Sequence, residues 1–239
     1  MDRSDLSQHI STQYNEELED VRSKVLAMGG LVEEQLEAAV QSLVEMDPDV
    51  ARRVVESDYK VNAMEVDLDE ECTMILARRQ PAAGDLRLII AVIKTITDLE
   101  RIGDEAERVA RMAESMAGRS FDKGIMSEME HMGDMVRDML HLVLDAFARM
   151  DVQGAIGVVK RDEKVDIKYD SLLRQTITYM AEDPRSIPLA LNILWAARSL
   201  ERIGDRCQNI AEYILYLVKG KDVRHTHLDQ VLKELENGN

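Results

Sequence analysis

Leu99-Glu100-Arg101-Ile102-Gly103-Asp104 and Leu200-Glu201-Arg202-Ile203-Gly204-Asp205 are the same six residues, LERIGD, met twice in one chain. Each copy extends an apolar series at helical spacing, with Ile93 and Ile96 before the first and Leu194 and Ala197 before the second. Within each copy the Glu and the Asp stand four apart, so they lie one above the other on a single helix face. Glu100 follows Ile96 by four and Ile93 by seven, and Glu201 follows Ala197 and Leu194 in the same way. The carboxylates therefore border the apolar stripe. Two like charges so placed repel by a few tenths of a kcal/mol, roughly, unless something positive answers them.

Outward from the motif, the two halves of the chain match. Met46-Asp47 corresponds to Met150-Asp151, and Asp58-x-Lys60-Val61-Asn62 to Asp162-x-Lys164-Val165-Asp166, both at a constant offset. The LERIGD offset is shorter by three residues. The difference falls at a turn, where the first half has the longer Gln80-Pro81-Ala82-Ala83-Gly84 stretch. The expectation is an all-α fold of two tandem three-helix bundles related by an internal pseudo-twofold.

Six helices follow from the spacing. The first spans about 15–46, with Leu18, Val21, Val25, Met28, Val32, Leu36 and Leu43 as its apolar face and Gly29-Gly30 as a place for a bend or close packing. Asp47 caps a second helix that runs to about Arg78. Asp85 or a neighbour caps the third, which reaches about Ala117. A Met-rich fourth helix runs from about Ile125 to Met150, and a fifth from Asp151 to Glu182. Asp183-Pro184 caps the sixth, which ends near Lys219. The units are 1–14, a lead-in; 15–118 and 119–220, the two repeats; and 221–239, a polar tail. The stripe of Met126, Met129, Met132, Met135 and Met139 reads as core filler sooner than as a docking face.

Composition narrows the function. With 30 basic and 46 acidic residues the chain carries −16. Such a surface repels nucleic-acid phosphates and anionic lipid, so neither nucleic-acid binding nor direct membrane insertion is expected. No apolar run reaches membrane-span length. Cys72 and Cys207 are isolated and in no metal-finger spacing, as befits buried thiols in a reducing cytoplasm.

Short turns make consecutive helices antiparallel neighbours. Reflection about the turn near 81 sets Asp58 and Asn62 level with Asp104 and Glu100. Reflection about the turn near 183 sets Asp162 and Asp166 level with positions 204 and 200, where Asp205 and Glu201 are the nearest acidic residues. Carboxylates gathered in this way raise one another's pKa and cost stability unless a cation joins them. An oxygen-only set suits magnesium, manganese or iron, and is unlike the thiolate- and imidazole-rich sets of zinc. Glu-x-x-His pairs of the oxygen-activating bundles are absent. The plain alternative is surface ion pairing, with Arg101 and Arg202 inside the motif and Arg108 four beyond Asp104. It explains the second copy poorly, because Asn209 stands where the first has Arg108.

The chain to about residue 228 resembles the PhoU family of bacterial phosphate-uptake regulators. The resemblance rests on MGGLVEEQL from Met28, ARRQPAAGDLR from Ala77, DLERIGD from Asp98, LDAFARMD from Leu144 and ARSLERIGDRCQNIAEYI from Ala197. It implies multinuclear metal sites, holding iron, manganese, magnesium or zinc, at Glu100/Asp104 with Asp58/Asn62 and at Glu201/Asp205 with Asp162/Asp166. Glu34 and Asp138 are lesser candidates. It further implies a cytoplasmic negative regulator without enzymatic activity. Such a protein joins the ATPase subunit of the phosphate ABC transporter to the phosphate-sensing histidine kinase and its response regulator, as a homodimer in the expected form. From the acidic quartets alone, a carboxylate-bridged metalloenzyme is the competing reading.

Overall fold

Two Asp residues punctuate the chain in the same way. Asp47 accepts from the N–H groups of Asp49 and Val50 and starts a helix with Pro48 in its first turn. Asp151 accepts from Gln153 N–H and starts another. The methionine before each, Met46 and Met150, is left-handed, at φ 53° and 55°. Each aspartate N–H then reaches back to close the preceding helix, Asp47 to Ser42 O at 3.0 Å and Asp151 to Ala146 O at 2.9 Å. An unbranched side chain tolerates this backbone at a cost of about 1 kcal/mol.

The computed structural model describes residues 12–220, and every regular element among them is helical. These are α1 (Thr12–Glu45), α2 (Pro48–Ser57), α3 (Tyr59–Arg79), α4 (Ala83–Ser115), α5 (Lys123–Arg149), α6 (Val152–Glu182), a single 3₁₀ turn (Pro184–Ser186) and α7 (Ile187–Lys219). None is long and apolar enough to cross a membrane. The tail at 221–239 lies outside the described residues, as do 1–11 of the lead-in.

The structure departs from the sequence reading at four places. α1 begins at Thr12, because Tyr14 is already buried on its apolar face. The second predicted helix is two. At Asp58 the dihedrals stay helical, but Val61 N–H bonds Asp58 O at 2.9 Å while Asn62 N–H to the same oxygen stretches to 3.4 Å, a local 3₁₀ tightening. Asp85 does not cap α4. Ala82 is the N-cap and makes no side-chain cap, while Asp85 is buried and paired with Tyr14, whose pKa rises to about 12 through burial and that carboxylate. Asp183 caps the 3₁₀ turn, and α7 starts after it.

The repeats join along α4 and α7, which run antiparallel. Asn192 Nδ2 donates to Ser115 Oγ at 2.9 Å, Ser199 Oγ to Glu105 at 2.7 Å, and Tyr213 OH to Asp98 at 2.8 Å. Behind them α1 crosses α5, and here the glycines matter. A Cβ on Gly29 would stand 2.4 Å from Leu144, and one on Gly133 would stand 2.5 Å from Val40. Gly29 and Gly133 are repeat mates, and so are Val40 and Leu144. The two crossings are therefore one contact generated twice by the pseudo-twofold. The core is continuous through both halves. Met129, Met132 and Met139 are fully buried in it, and Met126 nearly so. Cys72 and Cys207 are buried free thiols, and burial pushes the Cys72 thiol up to about 12.

Candidate metal centre

The first acidic set lies between α3 and α4. Asp58, at 7% exposure, presents its carboxylate to α4 beside Gly103. A Cβ at Gly103 would lie 3.5 Å from Asp58 Oδ1 and 3.2 Å from Gln35 Oε1. Gln35 Nε2 donates to Asp58 Oδ1 at 2.8 Å and Asn62 Nδ2 to Oδ2 at 3.1 Å. Glu100 and Asp104 are half-buried beside them. Burial, then Asp104, Glu65 and Asp58, push the Glu100 carboxyl up to about 7. Burial and Asp58 also raise Asp104.

The second set lies between α6 and α7 and is more acidic. Asp162, at 6% exposure, approaches Gly204 so closely that a Cβ there would stand 2.9 Å from its Oδ1. Its repeat mates' amides are gone: Met139 stands for Gln35 and Asp166 for Asn62. Burial, followed by Asp166, Asp205 and Glu201, pushes Asp162 up to about 7. Glu201 is raised by burial and Asp205, and Asp205 by burial and Asp166. Asp166 and Asp205 form the solvent-facing rim, with Asp162 and Glu201 as the floor.

The glycine of LERIGD thus has a task the sequence did not disclose. At Gly204 it lets the Asp162 carboxylate settle against the backbone of the motif helix.

Both sets leave oxygens unanswered. Asp162 Oδ1 and Glu201 Oε2 are buried without a hydrogen-bond donor in the second. Gln35 Oε1 and Asn62 Oδ1 are in the same position in the first. Buried acceptors without donors are costly, and a hard cation satisfies oxygen ligands of this kind. Among the described residues no three His, Cys, Asp or Glu side chains are already drawn together as ligands. The residues fit a metal ion by donor chemistry and by their orphaned oxygens.

Several predicted neighbours lie elsewhere. Arg108 does not pair with Asp104; it donates to Glu105 at 2.7 Å, although its charge lowers the Asp104 pKa. Arg202 likewise bonds Glu105, at 3.2 Å across the repeat boundary. Arg101 is exposed and acts on Glu100 by charge alone. Glu34 and Asp138 are exposed; the α1 side chain that reaches the first set is the next one, Gln35. Sequence reasoning also missed Glu65, although it follows Asp58 by seven and so shares its face.

Comparison with known proteins places this arrangement. The PhoU domain matches residues 25–113 and 129–214, one match per repeat. The chain is 52% identical over 237 residues to a phosphate-specific transport system accessory protein PhoU homolog of Pseudomonas aeruginosa, covering 99% of this chain and 98% of that one. It is 49% identical over 235 residues to the corresponding Escherichia coli protein, with 98% and 97% covered. The crystal structure of PhoU from Pseudomonas aeruginosa superposes with a TM-score of 0.84 at 53% identity, over 87% of this chain and 100% of that one. The phosphate transport system regulatory protein PhoU from Streptococcus pneumoniae does so with a TM-score of 0.82 at 28% identity, over 88% and 99%. The chain, in sequence, in its doubled helical plan and over nearly its whole length, belongs to the PhoU family.

Proposed function

We propose that this chain is a cytoplasmic regulator of phosphate transport that acts by docking and not by turnover. The observation that carries the reading is its half-identity, end to end, with phosphate-specific transport system accessory proteins. In this reading it links the ATPase subunit of the phosphate ABC transporter to the phosphate-sensing histidine kinase. When phosphate is ample it restrains uptake and favours the dephosphorylated response regulator. A homodimer is the expected assembly.

Support from the molecule is physical. Helices of up to 34 residues form long, stiff faces suited to holding two partners at once. The charge of −16 disfavours DNA as the target of regulation. Asp58, Asn62, Glu100 and Asp104 would hold a metal ion in the first half, and Asp162, Asp166, Glu201 and Asp205 in the second. A bound cation supplies charge neutralisation that ties α3 to α4 and α6 to α7.

Cells lacking the gene test the reading. They are expected to express a phosphate-starvation reporter and to take up labelled phosphate at high external phosphate, with both returning to normal on complementation. Protein purified from complemented cells is expected to retain the ATPase subunit or the kinase. Normal repression in the deletion strain would contradict the assignment.

A further inference from the structure

Thr97 and Arg198 occupy the same place in the two repeats, three residues before the motif glutamate, and Glu65 and Tyr169 are repeat mates as well. The two halves use these positions in opposite ways. In the first, Thr97 Oγ1 donates back to Ile93 O at 3.1 Å along its own helix, and Glu65 adds negative charge beside Glu100. In the second, the Arg198 guanidinium donates to Glu201 Oε1 and lies 5.7 Å over the Tyr169 ring. Its charge also acts on Asp205. The Glu201 side chain is 11% exposed and that of Arg198 46%, so the guanidinium sits at the mouth over a buried carboxylate. The second set, which is the more acidic, thus carries a cation of its own. In the first set Arg101 and Arg108 act on Glu100 and Asp104 by charge, and neither guanidinium bonds them.

We infer that Arg198 is a built-in counter-cation of the second carboxylate set that competes with a metal ion for Glu201, holding Oε1 while Oε2 is buried without a donor. This rests on reading that set as a metal site. Arginine suits the task. Its guanidinium stays charged at every physiological pH, and its planar face can rest on an aromatic ring after its bond to the carboxylate is given up. Tyr169 provides that ring. Without metal, Arg198 offsets part of the repulsion among four acids. As metal arrives, the same contact becomes a competitor, so the set fills at a higher metal concentration than its acidity alone would require.

The test uses the full chain with Glu100→Gln and Asp104→Asn, which silence the first set. Mn²⁺ binding is followed by titration calorimetry and by the spectrum of free Mn²⁺, with and without Arg198→Gln. Losing one charge-assisted bond as competitor is expected to tighten binding about tenfold. The melting temperature of the chelator-treated protein is expected to fall in the same variant. Arg198→Lys, which keeps the charge, is expected to restore weak binding. A purely structural arginine would instead weaken both measurements. Affinity unchanged within twofold, or weakened, in Arg198→Gln would overturn the proposal while leaving the metal site intact. No Mn²⁺ bound with or without Arg198, or binding indifferent to Glu201→Gln, would overturn the site reading and the proposal together.

Discussion

Gly204 is where one missing methyl group decides the geometry of a site. A Cβ there would press to 2.9 Å on Oδ1 of the buried Asp162 side chain. Gly204→Ala is therefore expected to weaken Mn²⁺ binding at the second set by at least tenfold, seen by calorimetry, although alanine is the better helix former by about 1 kcal/mol. Gly103→Ala is expected to be milder, because its Cβ would meet Gln35 Oε1 at 3.2 Å and Asp58 at 3.5 Å. Equal, unimpaired binding in both variants would show that the carboxylate approach is irrelevant to the cation.

At the scale of elements, Gly29 and Gly30 are neighbours with opposite roles. A Cβ on Gly29 collides with Leu144, whereas one on Gly30 meets nothing within 4 Å. Gly29→Val is expected to destabilise by about 1–3 kcal/mol through overpacking of the α1–α5 crossing, and Gly133→Val to do the same. Gly30→Ala is expected to stabilise by about 0.5–1 kcal/mol. Urea unfolding midpoints check all three. The sequence disclosed that these glycines interrupt a helix, but not which of them faces the partner. One residue is 100° of rotation on a helix, and packing alone decides the matter.

The same limit explains Glu34 and Gln35. Glu34 comes from the family resemblance alone, and the side chain that reaches Asp58 is the next one, Gln35. Spacing made the two LERIGD carboxylate pairs and their antiparallel partners readable, because i, i+4 geometry and short turns leave little freedom. It could not reveal the irregularity at Asp58, which arises in the backbone around a buried carboxylate, or the choice of Arg198 over Arg202 as the partner of Glu201. Arg202 lies on the side of α7 that faces α4 and is taken by Glu105.

For the whole molecule, two sets of raised carboxyls set the pH response. Glu100 and Asp162 titrate near pH 7 in the folded chain, well above ordinary carboxylates. Their protonated forms are favoured by folding, so their contribution is fully present below the ordinary carboxylate range. It is lost as pH rises to about 7, and above that there is no further change. Glu17, Asp20 and Asp183 are held below their usual values by Arg79, Lys24 and Arg185 and lose their contribution only on acidification. Between pH 5 and 7, roughly, the melting temperature of the metal-free protein is therefore expected to fall, more in the wild type than in Asp162→Asn. Excess Mn²⁺ is expected to reverse that slope, because the cation binds the ionised carboxylates. A wild-type slope no steeper than that of Asp162→Asn would contradict the role given to this carboxyl.

The most direct measurement is the metal content of the full chain, purified without a chelating tag or chelator. Elemental analysis, followed by Mn²⁺ and Fe²⁺ titration, would be run on the wild type and on two paired variants, Glu100→Gln/Asp104→Asn and Glu201→Gln/Asp205→Asn. The account predicts bound metal in the wild type and loss of a different fraction of it in each pair. Wild-type protein that neither retains metal nor takes it up on titration would contradict it.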